Sequence, residues 1–342
     1  MFQFLGKKVL WGSMIVVGAI LIMFLLVHAI PGSPWANYST NPRAQQNRDI
    51  DATVQRLLNA RFGLDLPLWR QFTRYLIADF DNQGNLICGA ICGNLGPSIQ
   101  QHGRTVQDIV FGAPIGETFW QSLFGYSIRL VFFAVLIVIG LGLPIGIVSA
   151  LRSSSRVAHA ISVFLALLIS IPNFVLGLLA IIILASWLHW IPVLPNWDDP
   201  SHWLVPAFVL ALVPMAGLAR VVRTSMLNVI KEDYIRTARS KGLTKQRITL
   251  DHILRNALVP IITYFGPILM EIFVGLFVVE GLYSFPGMGR EYWQAVLNLD
   301  YPMILGLTLV YAVGMVSINV VNQVICESLD PRVRAVSQGE AP

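Results

Sequence analysis

Six stretches of this chain are apolar over the length of a bilayer crossing. About 20 such residues span the hydrocarbon as a helix, and lipid leaves the backbone few alternatives. The stretches run from Val9 to Ile30, Ile128 to Ala150, Val157 to Trp187, Trp203 to Ala219, Ala257 to Val279 and Met303 to Ile325. Composition agrees: 55 % of the 342 residues are hydrophobic and only 13 % are charged. A soluble domain carries about a quarter of its residues as charges, so this chain cannot cover a water-exposed surface with them. The expectation is an all-α integral membrane protein with about six transmembrane helices. The first stretch is too long for a signal-peptide core and lacks a small-residue cleavage site after it, so it reads as a retained anchor.

The net charge of +5 is unevenly placed. Lys7 and Lys8 precede the first span, and Arg152 and Arg156 lie between the second and third. The connection at 220–256 holds Arg220, Arg223, Lys231, Arg236, Arg239, Lys241, Lys245, Arg247 and Arg255 against Glu232, Asp233 and Asp251. The loop from Leu188 to His202 has Asp198 and Asp199 and neither Lys nor Arg. Short cytoplasmic loops concentrate Lys and Arg, so both termini and the 220–256 loop are expected in the cytoplasm. With no aromatic-interleaved basic surface, nucleic acid is not an expected partner.

The chain divides into 1–30 (N-terminus and first span), 31–127 (an extracytoplasmic segment), 128–326 (spans two to six with the cytoplasmic loop) and a tail at 327–342. Within 31–127, short amphipathic helices are expected at Thr53–Ala60 and after Pro67, where Leu68, Trp69, Phe72 and Leu76 share a face. Asp81 to Gly103 is rich in Gly, Asn and Gln and reads as irregular. Cys88 and Cys92 lie there on the oxidising side; a local disulfide and two free thiols both remain open, and a metal site is not expected.

One stretch of the cytoplasmic loop has the form of a docking helix. Glu232 and Asp233 open it at the positive end of the helix dipole, Gly242 closes it, and small Thr237 and Ala238 admit a close partner. An amphipathic helix resting on anionic lipid has the same features. Among residues at membrane depth, Glu271 is the most costly to bury, and Asn319, Asn322 and Gln323 share a helix face. They are candidate pathway residues, with interhelical hydrogen bonding as the other reading.

The run Glu232-Asp233-Tyr234-Ile235-Arg236-Thr237-Ala238-Arg239-Ser240-Lys241-Gly242-Leu243, followed by His252-Ile253-Leu254-Arg255-Asn256-Ala257-Leu258-Val259-Pro260, resembles the coupling loop of binding-protein-dependent ABC importer permeases. It is similar to the dipeptide/oligopeptide permease family, first permease subunit type; Arg236-Thr237-Ala238 stands where the broader family has Glu-Ala-Ala. Further fragments resemble that family in order: Pro31-Gly32-Ser33-Pro34, Phe62-Gly63-Leu64-Asp65, Gly93-Asn94-Leu95-Gly96-Pro97-Ser98, Phe285-Pro286-Gly287-Met288-Gly289-Arg290, Tyr301-Pro302 and Asp330-Pro331-Arg332. The resemblance implies the type I ABC importer permease fold. It also implies pairing with a second related permease, two P-loop ATPases carrying ATP and Mg, and an extracytoplasmic solute-binding protein that delivers di- or oligopeptide. Coupling would then fall to Glu232, Asp233, Tyr234, Ile235, Arg236, Thr237, Ala238, Lys241 and Gly242. The sequence has no G-x-x-x-x-G-K-[ST], so no cofactor is expected on this chain and it is not expected to be an enzyme. Nickel chelates, glutathione or oligosaccharides are alternative cargoes. A stand-alone secondary transporter would want paired intramembrane charges or an inverted repeat, which the sequence lacks.

Overall fold

The computed structural model describes residues 2–30, 35, 52–80, 86–114, 116, 118–192 and 195–329. Of the fragments above, Pro31–Pro34 and Asp330-Pro331-Arg332 lie outside the described residues. In chain order the helices are α1 (Phe2–Ala29), α2 (Ala52–Phe62), α3 (Leu68–Leu76), α4 (Val106–Phe111), α5 (Leu123–Leu151), α6 (Arg156–Ser170) and α7 (Asn173–Ala180). There follow α8 (Leu204–Ile230), α9 (Asp233–Ser240), α10 (Lys245–Arg247), α11 (Arg255–Thr263), α12 (Phe265–Tyr283), α13 (Met288–Leu297) and α14 (Tyr301–Leu329). A π-helical stretch, Ile181–Trp187, continues α7, and another, Ile248–Leu254, joins α10 to α11. Among the described residues one strand pair interrupts the helical pattern: β1 (Ala78–Phe80) pairs antiparallel with β2 (Leu86–Cys88).

Among the described residues five helices are long and apolar enough to cross a membrane: α1, α5, α8 with the turn before it, α12 and α14. The third expected span, Val157 to Trp187, is not one rod. It breaks into α6 and α7, bent by 101°. Pro172 has no amide to offer the preceding turn, and it forces Ile171 out of the helical region to φ −97°, ψ 124°. Counted as one span, the bent pair brings the number to six by length and composition. The fifth expected span is divided more mildly at Tyr264, which keeps helical dihedrals of φ −75° and ψ −10°. There Pro267 cannot donate to the Thr263 carbonyl four residues back.

The chain folds as two compact units. One comprises residues 1–127 and 286–316. Its core gathers Val27, Leu95, Val106, Ile109, Met288, Ile304 and Leu307 from α1, α4, α13, α14 and the segment before α4. A smaller cluster of Ile20, Phe24 and Leu305 receives Phe72 and Leu76 of α3. The expected apolar face of α3 is therefore divided: Phe72 and Leu76 pack inward, whereas Leu68 and Trp69 are exposed.

The second unit comprises 128–285 and 317–342 and is organised around α8, on which α6, α7, α11 and α12 pack. Two-thirds (67 %) of the most apolar stretch of α8 is buried, against 17 % for α1 in the first unit. The first figure marks a helix enclosed by others. The second marks one whose apolar side chains face a non-aqueous surrounding. Within the second unit α5 meets α8 at Gly146. A Cβ there would come within 2.6 Å of Val222, so the absence of a side chain sets how closely the two helices approach.

Candidate functional site

The α9 element is built almost entirely from local rules. Glu232 occupies the N-cap in extended conformation, and Asp233 adds negative charge to the first turn. At the other end Gly242 takes φ +74°, a left-handed conformation that costs a side-chain-bearing residue about 1 kcal/mol or more. The Leu243 amide then donates to the Ala238 carbonyl at 3.4 Å and the Gly242 amide to that of Arg239 at 3.0 Å. This is the paired Schellman closure that satisfies the last carbonyls of a helix. Thr244 accepts from the Arg247 amide and starts the next helix at once. Eight residues alone make a marginal helix, so the caps and the packing beneath it decide whether it forms.

That packing comes from Ile235 and Ala238, both buried, on the face turned toward the π-helical Ile248–Leu254. The small side chain of Ala238 thus lies on the buried side of α9, which packs on the chain's own next segment. Asp233, Tyr234, Arg236, Thr237, Arg239, Ser240 and Lys241 are exposed. Tyr234 is tethered, its Oη accepting from Asn256 Nδ2 at 3.1 Å. Arg236 approaches Asp233 at 3.8 Å with both side chains almost fully in solvent, a pairing too exposed to hold either against a competing partner. The result is a short rigid helix that offers alternating charge and hydroxyls outward.

The four membrane-depth polar residues do not act as a set. Asn322 turns inward and donates to the Thr263 carbonyl, at 3.4 Å, across the break between α11 and α12. That carbonyl is the acceptor Pro267 leaves without its helical donor. Asn319 and Gln323 are exposed and bond to each other at 3.3 Å. Glu271 is half-buried on α12.

In the first unit, Cys88 and Cys92 form a disulfide, with Cα atoms 5.9 Å apart. It lies in the wall of a cavity of about 430 Å³ bounded by α1, α3, the 86–99 segment and the start of α14. Tyr75 lines the same cavity; its Oη is buried without a hydrogen-bond partner, and burial pushes its phenol well above the ordinary value. Among the described residues no group of three or more His, Cys, Asp or Glu is placed to hold a metal.

Residues 142–335, more than half the chain, match the family "Binding-protein-dependent transport system inner membrane component". The chain belongs to this family. The matched region of this inner membrane component begins within α5 and contains the whole α9 element. Similar proteins include the dipeptide transport system permease protein DppB of Bacillus subtilis, 34 % identical over 320 residues that cover 93 % of each chain. The oligopeptide transport system permease protein AppB of the same organism is 30 % identical over 342 residues, 97 % of this chain and 99 % of its own. The glutathione transport system permease protein GsiC of Escherichia coli is 32 % identical over 316 residues, 92 % of each. The protein is a multi-pass inner-membrane permease subunit of the peptide-permease type, and its relatives are not enzymes.

The permease also holds a polar cluster that residue patterns did not single out. Asp300, 2 % exposed, accepts from Ser98 Oγ at 2.5 Å, from the Ile99 and Gln100 amides at 3.2 and 3.1 Å, and from the Met303 amide at 3.3 Å. It therefore caps α14 and fixes the 98–100 turn with one carboxylate. Beside it, Gln101 donates to Glu291 at 2.8 Å. Burial raises the Glu291 carboxyl above the usual range, partly opposed by that bond. The available sequence signal was Asp immediately before a long apolar helix, an N-cap pattern. The partners some 200 residues earlier have none.

Proposed function

We propose that this permease forms half of the membrane pathway of an ATP-driven importer for di- or oligopeptides. A second related permease supplies the other half. Two P-loop ATPases, holding ATP and Mg, engage α9, and an extracytoplasmic solute-binding protein delivers the peptide. Both termini and α9 face the cytoplasm, consistent with nine Lys and Arg against three acids at 220–256. The observation that carries the reading is the form of α9: a short helix capped at both ends, seated through Ile235 and Ala238, with its charged side left to solvent.

In this scheme Glu232, Asp233, Tyr234, Arg236, Thr237 and Lys241 meet the ATPase. Ile235, Ala238 and Gly242 hold the helix in the geometry that transmits its displacement. Glu271, Asn319 and Gln323 are the candidates to line the pathway or the contact with the second permease, while Asn322 supports the junction of α11 and α12. The glutathione permease among the relatives favours a second reading within the same importer class, with a small anionic γ-linked peptide as cargo.

Affinity purification of the tagged chain from its native membrane, with crosslinking and mass spectrometry, tests the assembly. Recovery of a second permease, P-loop ATPases and a binding protein is the expected result. Recovery of the chain alone under crosslinking would overturn it in favour of a self-sufficient carrier and direct attention to Glu271.

A further inference from the structure

The cavity in the first unit has the chemistry of an amphiphile site. Its walls are mainly apolar, with Phe24, Leu95, Ile99 and Leu305 contributing, and its volume of about 430 Å³ falls in the range of small-molecule pockets. Arg74 stands on the same wall, half-buried, and among the described residues it has neither an acidic nor a hydrogen-bond partner. Its guanidinium lies over Gly63, where a Cβ would come within 2.6 Å of Nη1. The missing side chain at Gly63 thus gives the cation its place. A half-buried guanidinium beside an apolar cavity invites a ligand with an anionic head and an apolar body.

The location selects among such ligands. Helix α3 is fastened to the last turns of the spanning α1: Phe24 and Phe72 stack edge-on with ring centroids 5.4 Å apart, and His28 Nε2 meets Gln71 Oε1 at 3.0 Å. Tyr301, Pro302 and Leu305, from the opening turns of the spanning α14, line the same cavity. The cavity therefore lies at the depth where two membrane spans end, the level of lipid headgroups. On the outside of α3, Leu68 and Trp69 are exposed, as on a helix lying in the interface.

We propose that this cavity binds an anionic phospholipid, with an acyl chain against Phe24, Leu95 and Leu305 and the phosphate on Arg74. Half-buried Arg74 and exposed Ile87 mark its rim. The Cys88–Cys92 disulfide ties the 86–99 wall, which meets the last turn of α3 at Gly89. A bound lipid would join α3, the 86–99 segment and the head of α14 through a molecule drawn from the bilayer itself. The site stands whatever solute the importer carries; only the leaflet that supplies the lipid rests on the proposed orientation.

The test uses the full chain in nanodiscs of phosphatidylcholine containing a photo-crosslinkable phosphatidylglycerol, with labelled peptides mapped by mass spectrometry. Label is expected within 62–76 and 86–99. Arg74→Gln is expected to lower it about 10-fold, the loss of one charge-assisted contact, and Arg74→Lys to restore part of it. Ile87→Trp, which crowds the rim, is expected to lower it as well. Arg56→Gln, an exposed change on α2 outside the cavity, reports on folding and is expected to label as the parent does. Label confined to the exposed stripe of α1, or unchanged in both Arg74→Gln and Ile87→Trp, would overturn the proposal. So would displacement of the label by excess dipeptide, which would assign the cavity to the transported solute. Sidedness is scored separately, by reaction of an Asp198→Cys variant with a membrane-impermeant thiol reagent.

Discussion

The α9 element and the Asp300 cluster are both small polar constructions, and they are held in opposite ways. In α9 the contacts are close in sequence: a Glu232 N-cap and a left-handed Gly242 within the helix, and two buried side chains and a Tyr234–Asn256 bond to the segments that follow directly. The Asp300 cluster joins residues some 200 positions apart through a carboxylate that is 2 % exposed. The local element leaves its charges in water, where they are free to engage another protein. The long-range cluster has its donors and acceptors already satisfied and serves to hold its own unit together. Polarity in a membrane protein is therefore not in itself a sign of function; what separates the two cases is whether the polar groups are already partnered.

That contrast can be broken from either side. The largest effect is expected at Gly242: Gly242→Leu places a β-carbon-bearing residue at φ +74° and undoes the Schellman closure, so transport should be abolished while the amount of protein in the membrane is unchanged. Parallel uptake assays and membrane immunoblots check this. If α9 is a mere lipid-surface helix, uptake survives.

Asp300→Ala should do the reverse, lowering stability first. It leaves the Ser98 hydroxyl and three backbone amides without their acceptor, at a cost on the order of 3 kcal/mol. Thermal unfolding in detergent should show a clear drop in midpoint, with a smaller one for Asp300→Asn. An unchanged midpoint would mean the cluster is not what holds the 98–101 turn.

Breaking the disulfide by joint Cys88→Ser and Cys92→Ser should cost about 2 kcal/mol, as expected for closing so short a loop. The same midpoint under reducing and oxidising conditions in the parent would contradict that. Asn322→Leu should cost less, about 0.6 kcal/mol, by leaving the Thr263 carbonyl without its inserted donor.

The smallest effect is a slope. Burial raises the Glu291 carboxyl, so the folded state holds its proton more tightly than the unfolded one. The stabilisation is then full below the ordinary carboxylate range and is lost as pH rises through the raised value. Glu291→Gln, which still accepts from Gln101, should flatten this part of a stability-versus-pH curve. A curve identical to that of the parent would show that Glu291 does not contribute.

How much of this was legible in the sequence follows the same division. Gly242, Glu232 and the acidic first turn signal their roles within one helix, and the α9 element lies where its residues place it. The spans were legible because apolar length is a local property. The bend at Pro172 was legible in principle, since proline excludes the preceding residue from the helix, but a continuous apolar run concealed it. The inward turn of Ala238 was not legible, because it depends on the π-helical segment packed beneath. Asn319, Asn322 and Gln323 lie on one face by spacing, yet only Asn322 meets a carbonyl freed by a proline on a different helix. The partners of Asp300 and the cavity beside Arg74 are products of tertiary folding that no periodicity encodes.

The central claim, that this chain is a pore half driven through α9, is tested most directly by uptake of a labelled dipeptide into proteoliposomes. These would hold the chain with the permease, ATPases and binding protein that co-purify with it. The account expects uptake that requires ATP and is lost in Gly242→Leu although the complex remains assembled. Uptake that persists in that variant, or that runs on an ion gradient without ATP, would contradict it.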